Sequence, residues 1–400
     1  MDNNITTALF MSTYPPRECG IATFTRDLTN AIDEQHKGKV ETRILALNDN
    51  GSEYEYSNKV KYQVRASDYD DWLTIAAKIN KDDSIKAISI QHEFGIFGGE
   101  NSCHPLPFLD KINKPVVVTF HSVFPTPQEE VLYQIRALAK RVQGFVVMTN
   151  KAVELLRKDY GIKIPIHVIP HGIPEVNFEN QSLYKQKFNL ADRMVLSSFG
   201  LVGPGKGYEH VIDSMPKVVK RFPDVLYLIV GATHPGVLEE EGETYRESLI
   251  KRAKKLGIAD HVGFVNRYVS LQDLISYLKA TDLYVSSGQN PEQITSGTLA
   301  YAMGCGRAIV STPFPHAVDI VKGGNGLIVD DFEDPEGYSK AINELLSNPG
   351  RMKEIEENNY DYTRQMLWRN VAAEYGKVFE DLIKPQTRTP MFSIRPQFYS

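Results

Sequence analysis

Cysteine is scarce in this chain: Cys19, Cys103 and Cys305 are the only three among 400 residues, widely spaced and odd in number. They supply neither a disulfide framework nor a C-x-x-C metal cluster, and they suit a reducing compartment. Long apolar runs are missing as well. No stretch approaches the roughly 20 residues that cross a bilayer, and the apolar start Ala8 to Met11 is too short for a signal segment, so a cytoplasmic chain is expected. There is no excess of positive charge, since 45 Lys and Arg stand against 50 Asp and Glu for a net charge of −5. That argues against a nucleic-acid partner, because phosphate-backbone affinity needs a basic surface. Any phosphate must then be met locally. Repeats of about 20 to 50 residues and low-complexity tracts are not seen. What is present is a 42% hydrophobic, 24% charged chain, ordinary for a globular protein and too long for a single core.

Short β-branched runs recur at Ala8 to Met11, Thr42 to Leu47, Ile85 to Ile90, Val116 to Phe120, Phe145 to Met148 and Ile166 to Ile169. Helix-like periodicity separates most of them, at Thr23 to Ile32, Trp72 to Ile79, Glu129 to Arg141 and Lys151 to Asp159. This α/β alternation predicts a doubly wound parallel sheet, a Rossmann-like domain. After a polar stretch from Pro174 to Asn189 the alternation restarts at Val195 to Phe199 and continues through Leu226 to Val230, Val262 to Val265, Leu283 to Val285, Ile309 to Ser311 and Leu327 to Val329. A second domain of the same class follows. Pro335 to Leu346, Met352 to Asn358 and Val371 to Ile383 read as consecutive helices, hence a helical tail packing across both domains. Residues 385–400, with Pro385, Pro390 and Pro396, read as an extended tail. The expected division is 1–177, 178–365 and 366–400.

In open α/β sheets ligands bind beyond the carboxyl ends of the strands. Those positions carry Arg17 to Gly20, Gln91-His92-Glu93, His121-Ser122, His171-Gly172, Gly200 and Gly231. Neither the dinucleotide G-x-G-x-x-G nor the P-loop G-x-x-x-x-G-K-[ST] occurs at them. Instead, Phe199-Gly200 to Gly205-Lys206-Gly207 runs from a strand into a Gly-rich turn and the amphipathic helix Tyr208 to Arg221. Exposed N–H groups, the helix dipole and the Lys206 charge suit a diphosphate. The run Glu292-Gln293-Ile294-Thr295-Ser296-Gly297-Thr298 opens a further helix with small polar residues, which reads as a second anion site or, alternatively, as a plain helix cap.

Taken in order, Gly20, Thr119 to Ser122, Pro170-His171-Gly172, Phe199-Gly200 to Lys206-Gly207, Val230-Gly231 and Ala302-Met303-Gly304 resemble the retaining glycosyltransferases of the GT-B fold, family 4 or group 1, over nearly the whole chain. The resemblance implies two Rossmann-like domains facing a cleft, a C-terminal helical tail crossing back to the first, a nucleotide-sugar donor on the second domain and an acceptor on the first. It implies Lys206 on the donor diphosphate, His121 facing the transferred sugar and Gly20 approaching the leaving phosphate. Gln293 stands as a third catalytic candidate. Gly200, Gly205 and residues 292–298 belong to the donor site; Arg17, Glu93, Glu100 and His171 belong to the acceptor side.

Two positions depart from that family. Leu201 stands where an arginine precedes the lysine, and Arg267 is the candidate replacement. The second of two glutamates, which would hold ribose, is replaced by Ala300 or Tyr301 according to alignment. The chain is read as lacking an Asp-x-Asp triplet of the metal-binding type, so no metal and no cofactor beyond a UDP- or GDP-sugar substrate is expected. Hexosyl transfer with retention to a sugar or glycoconjugate is the leading expectation, with a lean to mannosyl. A sugar phosphorylase or nucleotide-sugar epimerase, and then a silent nucleotide- or sugar-binding protein, follow it.

Overall fold

The computed structural model describes residues 6–49, 54–99, 102–179 and 181–384. The expected 385–400 tail and Glu100 lie outside the described residues. The first sheet comprises β1 (Thr6–Ser12), β2 (Val40–Asn48), β3 (Val60–Arg65), β4 (Ile85–His92), β5 (Val116–Phe120), β6 (Gly144–Val147) and β7 (Ile166–Val168). All pairings are parallel, in the order β3-β2-β1-β4-β5-β6-β7. Helices α1 (Gly20–Gln35), α2 (Tyr69–Asn80), α3 (Pro105–Lys111), α4 (Glu129–Ala139) and α5 (Asn150–Lys158) supply the crossovers. Ala8 to Met11 are fully buried because helices cover both faces, which is why such strands read as unbroken apolar runs.

A short helix α6 (Ser182–Lys187) leads to the second sheet, formed by β8 (Met194–Phe199), β9 (Val225–Val230), β10 (Val262–Val265), β11 (Leu283–Ser286), β12 (Ala308–Ser311) and β13 (Leu327–Ile328). Its order, β10-β9-β8-β11-β12-β13, is again parallel throughout. Around it lie α7 (Tyr208–Arg221), α8 (Pro235–Glu241), α9 (Thr244–Lys255), α10 (Leu271–Ala280), α11 (Gly297–Gly304), α12 (Pro315–Ile320) and α13 (Pro335–Leu346). Each sheet has one point where strand order reverses, between β1 and β4 in the first and between β8 and β11 in the second. Among the described residues no helix is long and apolar enough to cross a membrane.

The tail crosses back as expected. Helix α14 (Pro349–Thr363) stays with the second domain, and α15 (Trp368–Ile383) buries Val371, Ala372, Tyr375 and Phe379 in one cluster with Phe10, Phe24, Leu28 and Ile32 of the first. At the crossing point Ile173 N donates to Met366 O at 2.8 Å and Trp368 N donates to Ile173 O at 3.0 Å.

Two elements of the first domain are not legible in the sequence, and neither are α6, α8, α9, α10 and α12 of the second. The edge strand β3, Val-Lys-Tyr-Gln-Val-Arg, alternates apolar with polar residues and lacks the continuous run that marked its neighbours. Helix α3 holds Pro105 and Pro107, which discourage a helical reading although proline is well tolerated in a first turn. Contrary to expectation, the chain does hold one Asp-x-Asp triplet, Asp68-Tyr69-Asp70. Its geometry is that of a helix cap: Asp68 Oδ1 accepts from Asp70 N and Asp71 N, at 3.0 and 3.1 Å, and Oδ2 pairs with Arg65 at 2.7 Å.

Gly172 marks how closely the crossing helix approaches, because a Cβ there would lie 2.0 Å from the Trp368 ring. Gly172→Ala is therefore expected to destabilise the fold by about 1–3 kcal/mol through overpacking, read as a lowered melting temperature. An unchanged melting curve would show that the junction yields freely.

Candidate active site at the domain cleft

A cleft of about 500 Å³ lies between the facing carboxyl edges of the two sheets, at the reversal point of each. From the first domain it takes the opening turns of α1, Glu93 beyond β4, His121 beyond β5 and His171; from the second it takes Gly200, Lys206, Gly231, Tyr268 to Leu271, Thr295, Gly297, Thr298 and Tyr301.

The Gly-rich loop after β8 is pinned from behind. Gln289 N donates to Gly205 O at 3.0 Å, Ser287 Oγ donates to Lys206 O at 2.7 Å, and Gly207 (φ 68°) leaves no room for a Cβ, which would meet Ser287 O at 2.1 Å. Only glycine satisfies both the left-handed backbone and the close approach. The loop thereby delivers Lys206 into the cleft, while Gly205 serves the turn and does not line the cavity. Lys206 is solvent-exposed as a residue, although neighbouring protein crowds its ammonium, and no carboxylate of the described residues pairs with it. That desolvation pushes its ammonium pKa down. An anion in the cleft relieves that cost.

The second loop divides its labour, so that both readings of its sequence apply, to different residues. Thr295, Gly297 and Thr298 line the cleft, and Thr295 Oγ1 is buried with no hydrogen-bond partner among the described residues. Ser296 is committed elsewhere: its hydroxyl caps α11 by accepting from Leu299 N at 3.3 Å, and its N–H donates to His316 Nδ1 at 2.8 Å. Ile294, only 2% exposed, joins the hydrophobic core of the first domain. Glu292 Oε1 accepts from Thr126 Oγ1 at 2.8 Å across the domain boundary, and Gln293 Nε2 donates to Thr295 O at 3.1 Å. The structure thus puts 292–294 and Ser296 into the interface and the helix cap, outside the cavity lining. Packing decides this, since an isoleucine in an extended segment seeks a core and turns its neighbours the other way.

Other expected positions sort likewise. Gly20, Gly200, Glu93, His121 and His171 all line the cavity. Glu93 accepts from Ser122 Oγ and Phe94 N, both at 2.8 Å, and burial raises its pKa. Arg17 pairs with Asp49 at 3.4 Å and lies outside the lining. Arg267, the candidate for the absent arginine, is half-exposed, pairs with Asp273 at 3.1 Å and lies outside the cavity lining. The arginine that does line the cleft is Arg26 on α1, whose Nε donates to Asp27 Oδ1 at 2.8 Å. Its signal was helical spacing, since Gly20, Thr23 and Arg26 recur at three-residue steps. Across the mouth, the Tyr268 and Thr23 hydroxyls meet at 3.2 Å and bridge the domains.

Two families match this chain in succession: Glycosyltransferase Family 4 over residues 19–175 and Glycosyl transferases group 1 over residues 180–362. The chain belongs to the group 1, family 4 glycosyltransferases. An uncharacterized glycosyltransferase of Methanocaldococcus jannaschii is 27% identical over 60% of this chain and 59% of its own length. The GDP-mannose-dependent α-(1-6)-phosphatidylinositol monomannoside mannosyltransferase of Mycolicibacterium smegmatis is 25% identical over 48% of this chain and 50% of its own. The chain thus spans about half to three-fifths of the curated relatives first matched. Among solved structures, sucrose-phosphate synthase from Thermosynechococcus elongatus superposes with a TM-score of 0.75 at 15% identity, covering 94% of this chain and 99% of that one. The shared architecture is the GT-B fold.

Four histidines lie in or behind this glycosyltransferase cleft, and burial holds all of them neutral: His121 and His316 are pushed down to about 3, His92 and His171 to about 4. Unfolded imidazoles titrate near 6.5, so below that pH the unfolded chain takes up the protons and native stability falls. His316→Asn retains an acceptor for Ser296 N and removes one such group. Relative to the natural chain, the variant should gain up to about 1.4 kcal/mol per pH unit as pH drops below about 6.5. Parallel denaturation curves at neutral and acid pH measure this, and a pH-independent difference would contradict it.

Proposed function

We propose that this chain transfers a hexosyl group, with mannosyl the first candidate, from a UDP- or GDP-sugar to a hydroxyl of a sugar or glycoconjugate, retaining the anomeric configuration. The observation that carries this reading is Lys206: a cation without a protein counter-charge, held by a rigid loop in the same cavity as His121 of the other domain. Family membership supports the reaction type, and the mannosyl lean accords with the GDP-mannose dependence of the Mycolicibacterium smegmatis relative.

In the reaction the bond between the anomeric carbon and the β-phosphate oxygen breaks, the sugar becomes oxocarbenium-like and negative charge builds on the departing diphosphate. Stabilising that charge is the main electrostatic task. Lys206 meets it, together with the N-terminus of α7 and the unpaired Thr295 hydroxyl, and Arg26 adds a cation from the first domain. The leaving phosphate accepts the proton of the attacking acceptor hydroxyl as the new glycosidic bond forms on the same face. His121 orients the sugar. Glu93 and His171 line the same cavity from the first domain, on the side where an acceptor would enter. Protein cations take the place of a divalent metal at the diphosphate, so the reaction is expected to proceed in EDTA.

A thermal-shift panel of UDP, GDP, ADP and their sugars tests this. A ligand at 100 times its Kd adds about 2.7 kcal/mol, and Lys206→Met is expected to weaken the diphosphate by roughly 10- to 100-fold, the worth of a charge-assisted hydrogen bond. No shift with any nucleotide at millimolar concentration overturns the proposal. Loss of transfer in EDTA with recovery on magnesium or manganese overturns its metal-free part.

A further inference from the structure

A chain of buried polar side chains runs from the cleft to the crossing helix. On β4 and β5, which pair in parallel with Gln91 opposite Thr119, alternate residues share a face, so Ser89, Gln91 and Thr119 point together toward the side covered by α1 and α15. His121 Nε2 lies 3.0 Å from Gln91 Oε1, Gln91 Nε2 lies 3.1 Å from Ser89 Oγ and 3.4 Å from Thr119 Oγ1, and Thr119 Oγ1 lies 3.0 Å from the Tyr375 hydroxyl of α15. Ser89, Gln91 and Thr119 have no solvent exposure, and Tyr375 has 1%.

The amide of Gln91 has two protons and one acceptor oxygen. Two hydroxyl oxygens stand on its nitrogen side and one ring nitrogen on its oxygen side. Turned over, one amide proton would be buried with nothing to meet, whereas a hydroxyl that accepts from the amide can still rotate its own proton elsewhere. A carbonyl oxygen accepts only, so the ring nitrogen facing it must carry the proton. Thr119 is the pivot: with the Tyr375 hydroxyl as partner, its own proton can point to α15 and its lone pairs to Gln91.

We propose that Gln91 and Tyr375 are positioning residues that hold His121 in its Nε2–H tautomer and leave Nδ1 as a bare acceptor toward the cleft, where it receives a sugar hydroxyl. The sugar rests on the transferase reading; the tautomer does not. The geometry also gives the crossing helix a part in the site, since docking of α15 brings the phenol that completes the chain. Burial keeps the ring neutral, with its pKa near about 3, so one tautomer persists across the neutral range.

The test is a ring proton–nitrogen correlation spectrum of the full chain labelled with ¹⁵N-histidine, with His121 identified by the signals lost in His121→Asn. A protonated Nε2 and a bare Nδ1 are expected at neutral pH; a protonated Nδ1 overturns the proposal. In Tyr375→Phe the His121 signals should shift toward a tautomer mixture, and kcat should fall by roughly 3- to 10-fold, the worth of one hydrogen bond, with nucleoside diphosphate affinity unchanged. Unaltered His121 signals in that variant overturn the role of Tyr375. Should the variant not fold, the spectrum of the natural chain still decides the tautomer. These spectra need no substrate, so failure of the transferase reading shows separately, as the absence of any nucleotide-induced stabilisation.

Discussion

The packing of Phe24, His171, Tyr301 and Trp368 against one another turns two separate sheets into one site. Phe24 comes from α1, His171 from the segment leaving the first domain, Tyr301 from α11 of the second and Trp368 from the start of the crossing helix. Phe24 meets His171 at 5.1 Å and Trp368 at 5.3 Å, and His171 meets Tyr301 at 5.7 Å, all edge to face. Each such contact adds about 0.5–1.5 kcal/mol beyond burial of area. Together with Ile294 seated in the first core, they fix the distance between the carboxyl edges of the two sheets. Neither sheet alone encloses a cavity there.

That enclosure sets the electrostatics. Desolvation by the cleft walls lowers the pKa of the Lys206 ammonium, exposed though the residue is, while the neighbouring histidines are kept neutral and add no competing charge. Arg26 enters from the other domain tied to Asp27, whose second oxygen is buried and unpaired. Burial raises the Asp27 pKa, with Arg26 opposing it. A cavity with cations from both domains, a bare Thr295 hydroxyl and neutral imidazoles suits a ligand whose negative charge is concentrated at one place and whose remainder is hydroxylated. In such surroundings each charge interaction is stronger than it would be in water.

Much of the fold was legible. The strands of both sheets other than β3, the helix Tyr208 to Arg221 and the helical tail follow from apolar runs and 3.6-residue spacing, which are local properties. The turn Gly203-Pro204-Gly205-Lys206-Gly207 announced a strand-to-helix corner by composition alone. Strand β3 escaped because an edge strand needs no continuous apolar run, and α3 because proline is read as a breaker even where it starts a helix. At the site, His121, Lys206 and Gly20 were legible from their places beyond strand ends. The pairing of Arg267 with Asp273 was not legible, because sequence position does not say which carboxylate a side chain meets.

What the sequence determined by itself is the alternation of elements, the loops that end at carboxyl edges and the placement of one lysine in a glycine-rich turn, since each depends on residues within a few positions of one another. Only the tertiary structure decided which side chains of the run 292–298 enter the cleft, that a first-domain arginine lines it, and that a tyrosine of the tail reaches His121 through Gln91. Those outcomes depend on partners tens to hundreds of residues away. The direction of a loop side chain is set by the core that receives it.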